Sequence, residues 1–292
     1  MNIALFGKNL APENFDYMRK VMEVLHEKKA NVSVYKPFEE LIADCIPSEM
    51  RYSLFESYEE LKGNAEMLFS IGGDGTILGA VPLVRDSGIP ILGINMGRLG
   101  FLSSVSKNEI EAAFENVFRG DYVLEKRTML ELVSPSDTFG DIKWALNELN
   151  VIRKPDYSML AVKVFVDDVY LNTYWGDGIL IATPTGSTAY SLSAGGPIIA
   201  PNAANFVVTP IATHNLTVRP VVIPDDSVLR IQVEGRDKDF VFSMDSRNCV
   251  LDTSVELVVK KAGFCINMVR MKDGDFFSTI REKLMWGKDN RN

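Results

Sequence analysis

Cysteine and histidine are scarce in this sequence. Its 292 residues hold three cysteines, Cys45, Cys249 and Cys265, and two histidines, His26 and His214. The cysteines are odd in number, scattered and free of CxxC spacing, which argues against a disulfide framework and a structural metal site and points to small core residues in a reducing compartment. Two histidines leave little for Ser-His-Asp or Cys-His hydrolysis. His26 lies in a charged helix end, "LHEKKA", and His214, in "IATHNLTVRP", has no acid or nucleophile at motif spacing, so it reads as structural. Positive charge is also lacking. A formal net charge of −8 carries no basic footprint for nucleic acid or an anionic membrane, so any polyanion must be held by local groups. No apolar run reaches the roughly 18 residues of a membrane helix, and "MNIALFGKNLAPEN" has neither a basic n-region nor a long apolar h-region; a cytoplasmic protein is expected.

A hydrophobic content of 46% supplies the core of one large or two ordinary domains. Over 1–120, short apolar strands ("NIALFG", "VSVYK", "MLFSI", "IPILGIN") alternate with helical spacing, as in Phe15, Met18, Val21, Met22 and Leu25, with further helices expected around 48–62, 75–86 and 108–120. That rhythm predicts an α/β N-terminal domain with a parallel sheet. From 121 to 270 the period becomes two. "AVKVFVDDVYLNTY" (161–174) reads as a hairpin turning at Asp167 and Asp168, and "SVLRIQVEG", "DFVFSMD" and "VELVVKKAGFCINMVRM" repeat the pattern, so a mostly antiparallel, β-rich C-terminal domain follows. The tail, 271–292, returns to helical spacing at Phe277, Ile280 and Leu284 and is expected to pack back on the first domain.

Three polar constellations stand out. The first is "IGGDGT", where a turn leaves the carboxyl end of an expected strand. Gly72, Gly73 and Gly75, with Thr76, bare the backbone for a phosphate or ribose at a helix N-terminus. Gly73, Gly75 and Gly79 are one residue too long for GxGxxG, and no P-loop lysine follows. A carboxylate here would repel phosphate, so Asp74 suits work on a hydroxyl or a metal; the alternative is a plain helix cap.

The second is "WGDGILIATPTGSTAYSLSAGGPI" (175–198), where a strand feeds a loop of Thr183, Thr185, Ser187, Thr188, Tyr190, Ser191 and Ser193 punctuated by Gly186, Gly195 and Gly196. Hydroxyls and bare amides suit a nucleotide, with Tyr190 available for stacking; a Ser/Thr-rich turn is the alternative. The third is "ALNELNV" (145–151), where Asn147 and Glu148 interrupt an apolar strand. Such a pair is costly unless it is partnered, used or at a solvated edge.

In this order the three segments resemble the NAD kinase family: the GGDGT loop, an N-[DE] pair and a TPTGSTAYxLSAGGP stretch, with "NMGRLGFL" (95–102) similar to the family's strand and loop after GGDG. The likeness spans roughly 68–270. It implies an α/β domain and a β-sandwich-like domain with NAD between them, a homodimer or homotetramer, and transfer of the γ-phosphoryl of ATP to the 2′-hydroxyl of the adenosine ribose of NAD, with a divalent cation, Mg²⁺, required. It also implies Asp74 as general base, and NAD contacts at Gly75, Asn147, Glu148, Asp177, Thr188, Ala189, Tyr190, Ser191, Leu192, Ser193 and Ala212. Two positions depart from the family pattern: Ser158 stands where many bacterial members carry histidine, and Arg247, in "MDSRN", replaces a ligand-contacting glutamine. Lipid kinases share the GGDGT loop but need an apolar acyl slot that 183–193 does not offer. A non-catalytic NAD sensor and a plain structural domain are the remaining readings.

Overall fold

The computed structural model describes residues 1–97, 100–272 and 274–286. Arg98 and Leu99 of the 95–102 stretch, Asp273 and residues 287–292 of the tail lie outside the described residues. The chain divides into two compact units, Met1–Lys126 with Ile266–Asn292, and Arg127–Cys265.

The first unit is built on an eight-stranded sheet. Asn31–Tyr35, Asn2–Gly7, Met67–Ile71 and Ile91–Asn95 lie side by side and parallel, as the apolar runs predict. Both Met67–Ile71 and Ile91–Asn95 are buried along their whole length, the mark of a sheet covered on both faces. Helix Phe15–Glu27 buries Met18, Val21, Met22 and Leu25. Helix Ile110–Arg119 buries Ile110, Ala113, Phe114 and Val117, seats Phe114 against Phe69 at 5.0 Å between ring centres, and ends at Gly120 in the left-handed region.

Two local expectations change. The helix expected around 48–62 is a short edge strand, Tyr52–Phe55, followed by one turn, Tyr58–Leu61. Tyr52 and Leu54 face solvent there, so the apolar spacing does not report a buried helix face. In the tail, helix Phe276–Leu284 is capped by Asp275; Ile280 is buried, yet Phe277 is exposed. Phe276, four residues before Ile280, takes the half-buried place the spacing assigns to Phe277.

The second unit is two six-stranded sheets. Glu148–Ile152, Gly178–Ala182, Asn205–Ile211 and Asp239–Met244 belong to one, and Leu160–Val166, Val169–Gly176, Leu229–Glu234 and Leu257–Lys261 to the other, every adjacent pair being antiparallel. Side chains of both sheets, among them Leu149, Val151, Phe242, Leu132, Val162 and Ile231, share one core. Asp167 and Asp168 make the two-residue hairpin turn at φ of 50° and 63°. Strand Ile266–Met271 departs from the sequence reading that runs the β-rich domain to 270: it lies in the first unit's sheet, between Ile91–Asn95 and Tyr122–Arg127. Period-two spacing marks a strand without saying which sheet it joins.

Candidate functional site

In the first unit Asp74 is the opening residue of helix Asp74–Val84, directly after the buried strand Met67–Ile71. Its carboxylate is held from the neighbouring parallel strand's loop: Phe101 N–H donates at 2.7 Å, Leu102 N–H at 3.2 Å and the Ser103 hydroxyl at 3.3 Å. A carboxylate offers about four acceptor sites. Three are used, which fixes the group and leaves one for a hydroxyl.

The glycines around it divide by cause. Gly72 has φ +147° and packs on Thr76, so its own fold demands it. Gly73 and Gly75 have ordinary dihedrals, and a Cβ on either would meet nothing within 4 Å. Their missing side chains leave space beside amides at a helix start that no side chain caps. Lys8, at the end of strand Asn2–Gly7, lies against Gly79: a Cβ there would come 2.5 Å from its Nζ. Sequence reasoning passed over Lys8, and passed over Gly100 to Ser103 as the holders of Asp74.

In the second unit the Asn147–Glu148 pair and the hydroxyl-rich loop come together. The chain leaves one sheet after Trp144–Ala145 and enters the other at Glu148, and Leu146–Asn147 make the crossing. Backbone groups in such a crossing have no ladder partners and need substitutes. Thr183 supplies the donors: its hydroxyl gives to Leu146 O at 2.6 Å and its N–H to Asn147 O at 2.9 Å. Gly186 packs on the Asn147 backbone so closely that a Cβ would overlap its carbonyl. Asp245 supplies the acceptors, taking the N–H groups of Leu146 and Asn147 at 2.8 Å each and of Glu148 at 3.3 Å.

Glu148 is 7% exposed, and its Oε2 has no hydrogen-bond partner among the described residues; Thr185 Oγ1 is in the same condition. An unpaired buried polar atom costs about 1–3 kcal/mol, which a ligand could recover. Burial, and then the Asp245 charge, push the Glu148 carboxyl up to about 8. Burial raises Asp245 as well, against three amide donors and the Arg247 guanidinium that favour its charged form. Burial thus raises both carboxyls, while the amide donors and Arg247 that favour a charge act on Asp245 and none reaches Glu148 Oε2 among the described residues.

Other expected site residues fall near these. The Thr188–Ser193 stretch follows directly, with Tyr190 and Ser193 exposed, Thr188, Ala189 and Leu192 half-buried, and the Ser191 hydroxyl buried against Thr209 Oγ1 at 3.0 Å. The Ser187 hydroxyl ties the loop down, donating to Pro184 O at 2.6 Å and accepting from Ile199 N–H at 2.9 Å. Asp177 pairs with Arg153 Nε at 2.6 Å, and its N–H reaches Ile211 O beside Ala212, an exposed residue at φ 45°. Arg247 is occupied: its guanidinium donates to Ile142 and Trp144 carbonyls and lies over the Phe139 ring, so it braces the segment leading into the crossing. Ser158 is exposed, its N–H on the Asp237 carboxylate. Among the described residues no three His, Cys, Asp or Glu side chains gather as metal ligands, and no helix is long and apolar enough to cross a membrane.

Two family models match, the ATP-NAD kinase N-terminal domain over residues 3–122 and the ATP-NAD kinase C-terminal domain over 146–271. The chain belongs to the NAD kinase family. It is 42% identical to the NAD kinase of Flavobacterium psychrophilum and 38% identical to that of Cytophaga hutchinsonii, with both chains covered in full in each case. It is similar to the crystal structure of yeast NADH kinase complexed with NADH, with a TM-score of 0.88 and 27% identity over 100% of this chain and 89% of that one. It is likewise similar to an NAD kinase from Archaeoglobus fulgidus in complex with ATP, with a TM-score of 0.75 and 25% identity over 98% and 99%. As an NAD kinase family member it is an ATP-dependent phosphotransferase that converts NAD to NADP.

Proposed function

We propose that Asp74 is the general base of this reaction, taking the proton of the adenosine ribose 2′-hydroxyl as that oxygen attacks the γ-phosphorus of ATP and ADP leaves. The observation that carries the assignment is Asp74's anchored carboxylate, with three acceptor sites filled and one left, at the head of a helix whose flanking Gly73 and Gly75 open onto free space. A ribose hydroxyl is a weak nucleophile at neutral pH, and a positioned base contributes about 10²- to 10⁴-fold. The rest of the acceleration comes from alignment and from neutralising triphosphate charge.

The amides at Gly73 and Gly75, with Thr76 near them, suit phosphate oxygens, and Lys8 adds a positive charge on the same side of the sheet. Asn147 and Glu148 hold the adenosine end of NAD; at neutral pH Glu148 carries a proton and donates it in a hydrogen bond to a ribose or base acceptor. Thr188 to Ser193 line the adenine side through Tyr190 and backbone groups, and Asp177 and Ala212 the nicotinamide side. The described residues do not form a cage for a divalent cation. Mg²⁺ enters as metal-bound ATP, since this ion takes most of its ligands from phosphates and water. We place the enzyme in the cytoplasm, consistent with three free thiols, as a homodimer or homotetramer.

The test is an assay of purified protein with NAD⁺, ATP and Mg²⁺, reading NADP⁺ with an NADP-specific dehydrogenase, with Asp74→Asn alongside. Product from the wild type alone supports the assignment. A variant that keeps near-normal kcat removes Asp74 from the role of base.

A further inference from the structure

We propose that Asp245 is a positioning residue of the NAD site, setting the placement of Asn147 and Glu148 without touching the substrate. The inference rests on the reading of those two residues as NAD contacts. Asp245 lies about a hundred residues further along the chain, in the two-residue turn between strands Asp239–Met244 and Arg247–Asp252. Turns of this kind accept aspartate at positive φ, and Asp245 sits at φ 49°. The turn alone leaves its carboxylate without a task.

Its bonds supply one. The carboxylate accepts the consecutive N–H groups of Leu146, Asn147 and Glu148, and its own N–H donates to Glu148 O at 2.9 Å. The amides of Leu146 and Asn147 belong to the crossing between the sheets, where strand pairing does not reach them, and that of Glu148 opens the strand that follows. Thr183 takes the carbonyls of the same crossing and Asp245 its amides. With both sides of the peptide chain tied, the Asn147 and Glu148 side chains leave a backbone with one conformation. Arg247 extends the brace to Ile142 and Trp144 in the segment before the crossing and lies close enough to Asp245 to favour its charged form.

Removing the carboxylate frees three amides together and lets the crossing shift. A displacement of about 1 Å at a positioning group can cost on the order of 10²-fold. The change should appear in NAD binding, since Asn147 and Glu148 serve NAD and the ATP side is served by 72–76. Asp245→Ala is expected to raise the KM for NAD about 10- to 100-fold with the KM for ATP within about twofold. Asp245→Asn, which keeps one acceptor oxygen, is expected to fall between Ala and wild type and guards against an Ala variant that does not fold. Val162→Ala, in the shared core of the same unit, serves as a control of lowered stability and should leave both KM values in place. A KM for NAD within twofold of wild type in folded Asp245→Ala, or in Asp245→Asn where the alanine variant does not fold, overturns the proposal, as does a parallel rise in both KM values that Val162→Ala reproduces. Failure of the wild type to make NADP⁺ would instead overturn the reading on which the proposal rests.

Discussion

Gly100 and Asp74 occupy one space: a Cβ on Gly100 would overlap the Asp74 carboxylate, whose oxygens accept the N–H groups of Phe101 and Leu102 just beyond. Gly100→Ala must therefore displace either the loop or the carboxylate. Because Gly100 needs no positive φ, the fold should survive, with Tm within a few degrees of wild type. The expected loss of kcat is about 100-fold, in line with a misplaced catalytic group. Steady-state kinetics beside a thermal melt would settle it, and an alanine variant of normal kcat would mean that Asp74 has freedom the hydrogen bonds do not suggest.

Asp74→Asn keeps the size of the side chain and removes its basicity. Turnover should fall by about 10²- to 10⁴-fold while NAD⁺ binds with little change in calorimetry. Asn147→Ala should do the reverse, weakening NAD⁺ binding by about 10-fold, the value of one net hydrogen bond of about 1.4 kcal/mol. If both variants lost binding alike, the division between chemistry and recognition would be wrong.

Gly75 sits in the first turn of a helix with open space where its Cβ would lie. Gly75→Ala should raise stability by about 0.5–1 kcal/mol, since glycine is the poorer helix former. The added methyl occupies the space assigned to substrate, so kcat/KM should drop as Tm rises. Gly72→Ala, at φ +147° against Thr76, should lose stability. Melts of the two variants in opposite directions would confirm that the loop's glycines serve different ends; a fall in both would deny it.

Glu148 gives the apo protein a pH signature. Its folded carboxyl titrates near about 8, against 4.5 in an unfolded chain. Between those values the folded state keeps a proton that the unfolded state releases, so stability falls as pH rises through that window. The slope reaches at most about 1.4 kcal/mol per pH unit. Glu148→Gln removes the titration, and its Tm should match wild type near pH 5 and exceed it at pH 8. Parallel curves would show that Glu148 ionises freely when folded.

Much of this site was legible because its residues are unusual where they stand. Four glycines around Asp74, a polar pair in an apolar strand and a run of hydroxyls after a buried strand each ask for a partner, and the family likeness gives one. What supports them was not legible. Asp245 and Gly100 to Ser103 act through bonds to residues about a hundred and about thirty positions away, and no local period encodes a contact of that kind. Arg247 was legible only as a departure from a pattern; its bonds to Ile142 and Trp144 reach about a hundred residues back along the chain. Strand Ile266–Met271 shows the same limit in the fold, since its alternation suits either unit.

That strand also sets an order of events during synthesis. It lies between Ile91–Asn95 and Tyr122–Arg127 in the sheet, yet it begins 139 residues after Arg127 (266 − 127). At typical elongation rates the gap lasts on the order of ten seconds. Through that interval Tyr122–Arg127 has no strand linking it to the sheet, and the edge of Ile91–Asn95 stays open at Ile91, its far end being paired with Val105–Ser106. The unit that begins first is thus finished last, and a nascent chain halted at Cys265 should be cleaved by protease near 122–127, where the full chain resists.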